Sequence, residues 1–186
     1  QALGDVALIF GLSLAAIIGL LFLYFRTIVG VVVPVVAASV TTVWGLGVMG
    51  LVQYNLDPLL VLLPAFVFAI VLSHSVQLVS RVFEQLHEHS NMRSSVEAAL
   101  AKIIQPSGAA IITDAAGFTV LILVGIPSIQ ALALICTVWL LAIFPALVLA
   151  ASLIAVMPRP STYRLGLRFI ERSWRALNLE KNSVLV

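Results

Sequence analysis

Residues 28–52 read IVGVVVPVVAASVTTVWGLGVMGLV, an unbroken run without a charged side chain. A helix rises about 1.5 Å per residue, so roughly 20 apolar residues cross a hydrocarbon core of about 30 Å. This run is therefore long enough to cross a membrane as one helix. Its apolar residues do not alternate with polar ones, as they would in a strand of a membrane barrel.

Four further stretches of the same kind flank this one. The predicted fold class is all-α, a polytopic bundle of about five transmembrane helices with a cytoplasmic amphipathic helix. Pro34, Pro64 and Pro145 fall inside spans, which neighbouring helices can tolerate, and the last span is long enough to tilt or to bend at Pro145. The predicted spans are about 6–25, 28–52, 58–80, 106–124 and 128–157, within a transmembrane bundle 1–157 that has a cytoplasmic connection 81–105 and a basic juxtamembrane tail 158–186.

The composition excludes a soluble domain. Hydrophobic residues make up 62% of the chain and charged residues 10%, with a mean hydropathy of +1.17, whereas soluble domains carry about 25% charged residues. The single Cys136 excludes a disulfide framework and a Cys-rich metal site. We find no phosphate-binding loop, nucleophile elbow or zinc-protease pattern, so we predict neither an enzyme nor a cofactor.

The basic residues predict the orientation, because the side that carries the excess of Lys and Arg stays in the cytoplasm. All ten fall in segments of one side, next to membrane spans, which also argues against a nucleic-acid partner. The segments assigned to the opposite side, residues 1–5, 53–57 and 125–127, contain no Lys or Arg, and their only charged residues are Asp5 and Asp57. We therefore expect the N-terminus outside and the C-terminus in the cytoplasm. The basic residues are Arg26, Arg81, Arg93, Lys102, Arg159, Arg164, Arg168, Arg172, Arg175 and Lys181.

The long connection predicts a second kind of helix. Ser94 followed by Glu97 is the pattern of a capping box, and apolar residues then recur at helical spacing against Lys102 and Gln105. We expect an amphipathic helix at the membrane surface, either a connector that shields the bundle or a coupling or lipid-sensing element. The Arg-rich tail around Trp174 predicts an anchor to anionic lipid.

Two ionisable residues lie inside predicted spans, where a charge costs about 2.5 to 3.5 kcal/mol at the bilayer centre. Asp114 lies about 12 Å and His74 about 9 Å from the cytoplasmic ends of their spans at 1.5 Å per residue. Antiparallel neighbours would bring these depths together. We predict a polar seam that relays protons, formed by Ser73, His74, Gln77, Thr113 and Asp114. The alternative for either ionisable residue is a structural hydrogen bond between helices.

The order of elements resembles the RND superfamily, specifically its MMPL-like, hydrophobe-exporter branch, whose membrane region is similar to the sterol-sensing domain. The resemblance covers nearly the whole chain and matches spans two to six of one family half. It rests on five short motifs in order: Tyr24-Phe25-Arg26 at a very short turn, Asn55-Leu56-Asp57-Pro58, Thr113-Asp114-Ala115-Ala116-Gly117-Phe118, Gly125-Ile126-Pro127 and Phe144-Pro145-Ala146-Leu147.

The resemblance implies a first span and a periplasmic ectodomain before Gln1, a second half as partner, and proton transfer through acidic residues in the middle of the fourth span. This chain departs from that pattern, because Ser73-His74-Ser75-Val76-Gln77 lacks the acid. The nearest carboxylate is Asp114 on the next span. Either the proton site has moved to Asp114 with His74 as its partner, or the chain is a variant with altered coupling.

The preferred hypothesis is a proton-driven transporter of hydrophobic or lipid-like substrates in the bacterial cytoplasmic membrane. The expected partners are membrane lipids, the other half and ectodomain, and further copies in a homo-oligomer, either a trimer or a dimer. Two alternatives stay open: a lipid-binding regulatory or scaffold module of the sterol-sensing kind, and an accessory to protein export. His87 and His89 are expected to be solvated, and Trp44 and Trp139 to be packing or interface residues.

Overall fold

The computed structural model describes residues 2–51, 60–89 and 91–158, with side chains from Gly11 onward and that of Leu8. These residues are helical throughout, apart from short turns, and contain no strand, as predicted. Four of the helical segments are long and apolar enough to cross a membrane, and Gly11–Phe25 is a shorter apolar one. The predicted loop 53–57 and nearly all of the basic tail 158–186 lie outside the described residues. The helices are α1 (Ala2–Phe25), α2 (Ile28–Leu51), α3 (Leu63–Gln85), α4 (Met92–Val120), α5 (Pro127–Leu141) and α6 (Ile143–Val156).

A two-residue turn joins α1 to α2, in a compact unit that includes residues 2–31. Arg26 ends α1 with a left-handed backbone, at φ 51°, and its N–H donates to the Phe22 carbonyl at 2.8 Å. The Thr27 hydroxyl oxygen accepts from the Gly30 N–H at 3.2 Å, which satisfies a free donor in the first turn of α2. The Phe25 ring lies against Gly30, where a Cβ would come within 2.4 Å of it. The turn is tight because the Phe25 ring occupies the space that a side chain in place of Gly30 would need.

Residues 32–158 form the second unit. In it α3 packs against α4 and α6, and α4 packs against α3, α5 and α6. The buried face of α3 repeats at helical spacing through Val67, Val71, Leu78 and Val82, each fully buried. The core of this unit is therefore built around α3, with α4 and α6 as its neighbours.

Two helices run past the predicted ends of their membrane spans. The span predicted to end at residue 80 continues as helix to Gln85, and the amphipathic segment is the first half of α4, which runs through Pro106 without interruption. The charged stretch continues the helix because buried Val82 and Phe83 still pack there, and Arg81 pairs with Glu84 at 2.8 Å. The amphipathic segment is helical, as expected, but it is continuous with the span that follows.

The start of α4 also differs from the expected capping box. The N-cap is Asn91, whose side chain accepts from the Arg93 N–H at 3.3 Å, rather than Ser94. Ser94 donates its hydroxyl to the Asn91 carbonyl at 2.9 Å, and Glu97 pairs with Arg93 at 3.3 Å instead of reaching back to the cap. Asn is as good an N-cap as Ser, so both Asn91 and Ser94 are suitable N-cap residues, and the helix begins after the first of them.

The last predicted span, 128–157, is broken into α5 and α6 at Ala142. Proline has no N–H to donate, so Pro145 leaves the carbonyl of Leu141 without its usual partner one turn later. The chain resumes a regular pattern with the Ala146 N–H donating to the Ala142 carbonyl at 3.2 Å. The expected bend at Pro145 is thus a break that lies three residues earlier.

One hydrogen bond fastens α2 to α5. The indole Nε1 of Trp139 donates to the Thr41 carbonyl at 3.0 Å, and the Thr41 hydroxyl donates to the Ala37 carbonyl at 2.8 Å. Gly45 makes the approach possible, because a Cβ there would lie 1.9 Å from the Trp139 ring. Trp139 is therefore a packing residue, as expected, and also the donor that ties two helices together.

Candidate functional site

The ring contact between Phe66 and Phe118 sets the register of α3 and α4. Their centroids are 5.9 Å apart in an edge-to-face arrangement, so these residues share a depth in the bundle. His74 lies eight residues beyond Phe66, about 12 Å, and Asp114 lies four residues before Phe118, about 6 Å, in the same direction along the antiparallel pair. The two ionisable residues are therefore within about one helical turn of each other in depth.

His74 points into the bundle. Its side chain is 8% exposed, and its Nδ1 atom has no hydrogen-bond partner among the described residues. Asp114 lies on the neighbouring helix α4, which packs against α3, within about one helical turn in depth. Both groups can bind and release a proton, and an imidazole does so closest to neutral pH.

Asp114 points outward from the described bundle. Its helix, α4, is also the least buried of the long apolar segments. In the most apolar part of Met92–Leu123, 17% of the residues are buried, whereas the share is 39% or 44% in the other long segments. A carboxylate at membrane depth normally faces a bundle interior, a water-filled cavity or a charge partner. The outward face of α4 is thus a place where another group is needed.

The other predicted seam residues are exposed as well. Ser73 and Gln77 are exposed on α3, and Thr113 is exposed on α4. Thr113 donates its hydroxyl to the Ala109 carbonyl of its own helix at 2.8 Å. Of the five residues predicted to form the seam, His74 is therefore buried and the other four are exposed, and the proton relay between them stays a prediction. We call Ser73, Gln77, Thr113 and Asp114 the polar face.

The small residues around Asp114 belong to this surface as well. Ala109 is exposed, and a Cβ added at Gly117 would meet nothing within 4 Å. Together with Thr113 they recur every four residues on one side of α4. Stripes of this kind let a second helix approach closely, but no other helix described in the second unit occupies this one.

Sequence reasoning missed two buried hydroxyls on the same pair of helices. Ser75 on α3 and Ser107 on α4 are 0% and 3% exposed, and their Oγ atoms have no hydrogen-bond partner within the described part of the chain. Ser75 was visible as part of the polar run Ser73–Gln77, but only its burial distinguishes it from Ser73. In an all-apolar segment the sequence does not reveal which side of the helix is covered.

Metal binding has no obvious place in this site. Among residues 2–51, 60–89 and 91–158, no group of three His, Cys, Asp or Glu side chains is arranged to hold a metal ion. His74 and Asp114 provide two candidate ligands on neighbouring helices, whereas a zinc site usually takes three or four.

Comparison with known proteins gives no relative. No family model, no curated protein and no solved structure matches the chain. The resemblance to the RND superfamily rests on the order of its sequence motifs alone.

Proposed function

We propose that this chain is the membrane part of a proton-driven secondary transporter that exports or relocates hydrophobic or lipid-like substrates. The observation that carries the proposal is that two ionisable residues, buried His74 and exposed Asp114, lie within about one helical turn of each other in depth on two apolar helices that pack together. Ionisable residues are rare in such helices and mark ion or proton pathways when they occur. A transporter driven by a proton gradient needs a group of this kind to bind and release the proton.

The outward position of Asp114 supplies a coupling mechanism. A protonated carboxyl is neutral and can sit against apolar surroundings, whereas a carboxylate needs water, a cation or a hydrogen-bond donor. Loading and release of the proton therefore changes what the face of α4 can pack against. His74 holds the second exchangeable proton on the inner side of the same pair of helices. Alternation between the two packings would move substrate.

The uncovered face of α4 needs a partner, which we propose is the other half of the transporter or a second copy in a dimer or trimer. A donor or cation there would satisfy Asp114, and the small residues beside it would permit close approach. The proposed setting is the bacterial cytoplasmic membrane, with the C-terminus in the cytoplasm and a periplasmic ectodomain that handles substrate. This arrangement is the one that the RND resemblance implies.

The decisive experiment is transport by the full-length parent in proteoliposomes, with an imposed proton gradient and a panel of fluorescent lipids and hydrophobic dyes. Asp114→Asn keeps the size and hydrogen-bonding capacity of the side chain but cannot be charged. We expect it to abolish gradient-driven movement, while Asp114→Glu keeps part of it. Asp57→Asn, the same change in a predicted loop outside the bilayer, is the matched control and should transport like the wild type.

His74→Ala tests the second member of the pair. We expect gradient-driven transport to fall strongly, with folding checked by size exclusion and circular dichroism in detergent. Gradient-driven transport at the wild-type rate in a folded Asp114→Asn protein would refute the proton relay.

A second candidate function is a lipid-binding module that does not transport. The specific observation in its favour is an apolar cavity beside α2, lined by Trp44 and Trp139, away from the polar face. In that case lipid binding should survive collapse of the proton gradient, and Asp114→Asn should leave it unchanged.

A further inference from the structure

A cavity of about 250 Å³ lies between α2 and the α5–α6 pair. Trp44 and Trp139 line it from opposite helices, and Ala142, between α5 and α6, is also part of the lining. An apolar cavity of about 150 Å³ already binds benzene in a soluble protein, so this one has room for a larger apolar group. The lining residues are Trp44, Gly45, Val48, Met49, Leu134, Ile135, Val138, Trp139 and Ala142.

The chemistry of the wall selects the kind of occupant. No charged side chain contributes to it. Its two strong donors are indole N–H groups: that of Trp139 is already bonded to the Thr41 carbonyl at 3.0 Å, and that of Trp44 belongs to a residue that is 59% exposed. The rest of the wall is almost entirely apolar, so a polar ligand would recover few of its hydrogen bonds to water and hydrocarbon is the occupant that fits best.

The cavity continues as a groove along α2. A second hollow of about 940 Å³ shares Trp44 and Val48 with the first and extends to Ser39, Leu51 and, on α6, Leu149. From Ser39 to Leu51 is twelve residues, or about 18 Å of helix. Half of a hydrocarbon core of about 30 Å is about 15 Å, which is the depth that one acyl chain fills. The groove therefore matches the chain of one lipid in one leaflet.

The open side of the groove faces hydrocarbon, because α2 and the α5–α6 pair belong to segments apolar enough to cross a membrane. Trp44, which separates the two hollows, is 59% exposed on that side. An unfilled void would leave its lining without dispersion partners on one side. The molecule most abundant beside such a surface is a phospholipid.

We propose that the groove beside α2 binds one acyl chain of a bilayer phospholipid, whose end enters the cavity between Trp44 and Trp139. Trp44 forms the lip, and Trp139 forms the inner wall. The site does not depend on proton transfer at Asp114, and it stands if the transport proposal fails.

The chain's own tryptophans report occupancy. Bromine atoms on the acyl chains of phosphatidylcholine quench indole fluorescence on contact. The chain carrying Trp44→Phe and Trp174→Phe keeps Trp139 as its only tryptophan, whose emission is excited selectively at long wavelength, and that side chain is 2% exposed. In vesicles of mid-chain dibrominated phosphatidylcholine we expect its fluorescence to fall almost as far as that of exposed Trp44 in the Trp139→Phe, Trp174→Phe protein. The reference is unbrominated phosphatidylcholine.

A matched pair of substitutions ties the quenching to the cavity. Val48→Phe fills the space that both hollows share and should restore most of the Trp139 fluorescence. Val36→Phe makes the same change on α2 at a residue that lines neither hollow and should leave the quenching as it was. If the double Trp variant does not fold, Trp174→Phe alone serves: an occupied cavity loses both indole signals, and an empty one keeps the Trp139 signal.

Two results would overturn the proposal. One is Trp139 fluorescence that is equal in brominated and plain lipid while Trp44 is quenched, which means that no chain enters and that a protein segment or nothing fills the cavity. The other is quenching of Trp139 that Val48→Phe and Val36→Phe leave equally strong, because the bromine then reaches the ring by another route.

Discussion

Arg26 combines a left-handed backbone conformation with a positive charge. Among the residues that the structure describes, it is the one side chain other than glycine at positive φ, 51°. Glycine would suit that backbone better, but glycine carries no charge. A cation at this turn is one of the residues that predict the cytoplasmic side of the chain. The sequence keeps the charge and accepts the backbone strain.

This strain can be measured by comparing two substitutions that both remove the guanidinium. Arg26→Gly relieves the left-handed backbone, and Arg26→Ala does not. We expect the glycine variant to exceed the alanine variant in free energy of unfolding by about 1 kcal/mol, measured in detergent micelles. Equal stability of the two would mean that the turn relaxes when Arg26 is removed.

At this same scale the sequence predicted part of the candidate site. His74 and Asp114 were identifiable because each interrupts a run of apolar residues, and their depths could be counted along the helices. The sequence did not predict which of the two side chains is buried and which is exposed. Helical periodicity separates inside from outside only when one side is polar, and around Ser73 and Ser75 both the buried and the exposed side carry polar residues.

Helix packing in this chain depends on particular glycines. Gly45 lies against Trp139, with space for no side chain, whereas Gly47 on the same helix has nothing within 4 Å of an added Cβ. Gly108 is intermediate, with the Phe144 ring 3.6 Å away, which is ordinary contact. The three positions predict different responses to the same added methyl group.

Gly45→Ala should displace the Trp139 ring and break its hydrogen bond to Thr41. We expect a loss of about 2 kcal/mol in the free energy of unfolding, from overpacking and the lost bond together. The Trp139 emission should shift as its indole N–H loses its partner. Gly47→Ala is the control and should be neutral or slightly stabilising, since alanine is the better helix former. Equal effects of the two changes would contradict the packing described here.

The ends of the helices were predicted less well than their existence. Apolar runs fix where hydrocarbon is crossed, but the backbone hydrogen bonds of α3 and α4 continue into charged sequence at Arg81 and Arg93. Hydropathy cannot detect such extensions, because it measures transfer into lipid rather than helix formation. Pro106 is the opposite case: a span was predicted to begin there, but helix α4 runs through it without an end.

At the scale of the whole chain, the predicted orientation can be tested with cysteines. Cys136 is fully buried, and Cys136→Ala gives a background without thiols. In that background we expect Gly125→Cys to react with a membrane-impermeant maleimide in intact cells. Glu88→Cys, which is also exposed, should react only after permeabilisation. The reverse pattern would invert the chain in the membrane and place Arg81 and Arg93 outside.

The thin coverage of α4 has a consequence for how the protein is made. A helix that carries Asp114 with so little of its surface covered enters the membrane from the translocon at a disadvantage. We expect α4 to be inserted together with α3 as a hairpin, and, if the proposed partner exists, to remain a target for membrane proteases until that partner covers it. Cells that produce this chain in excess of that partner should therefore degrade the surplus, so that assembly sets the amount that persists.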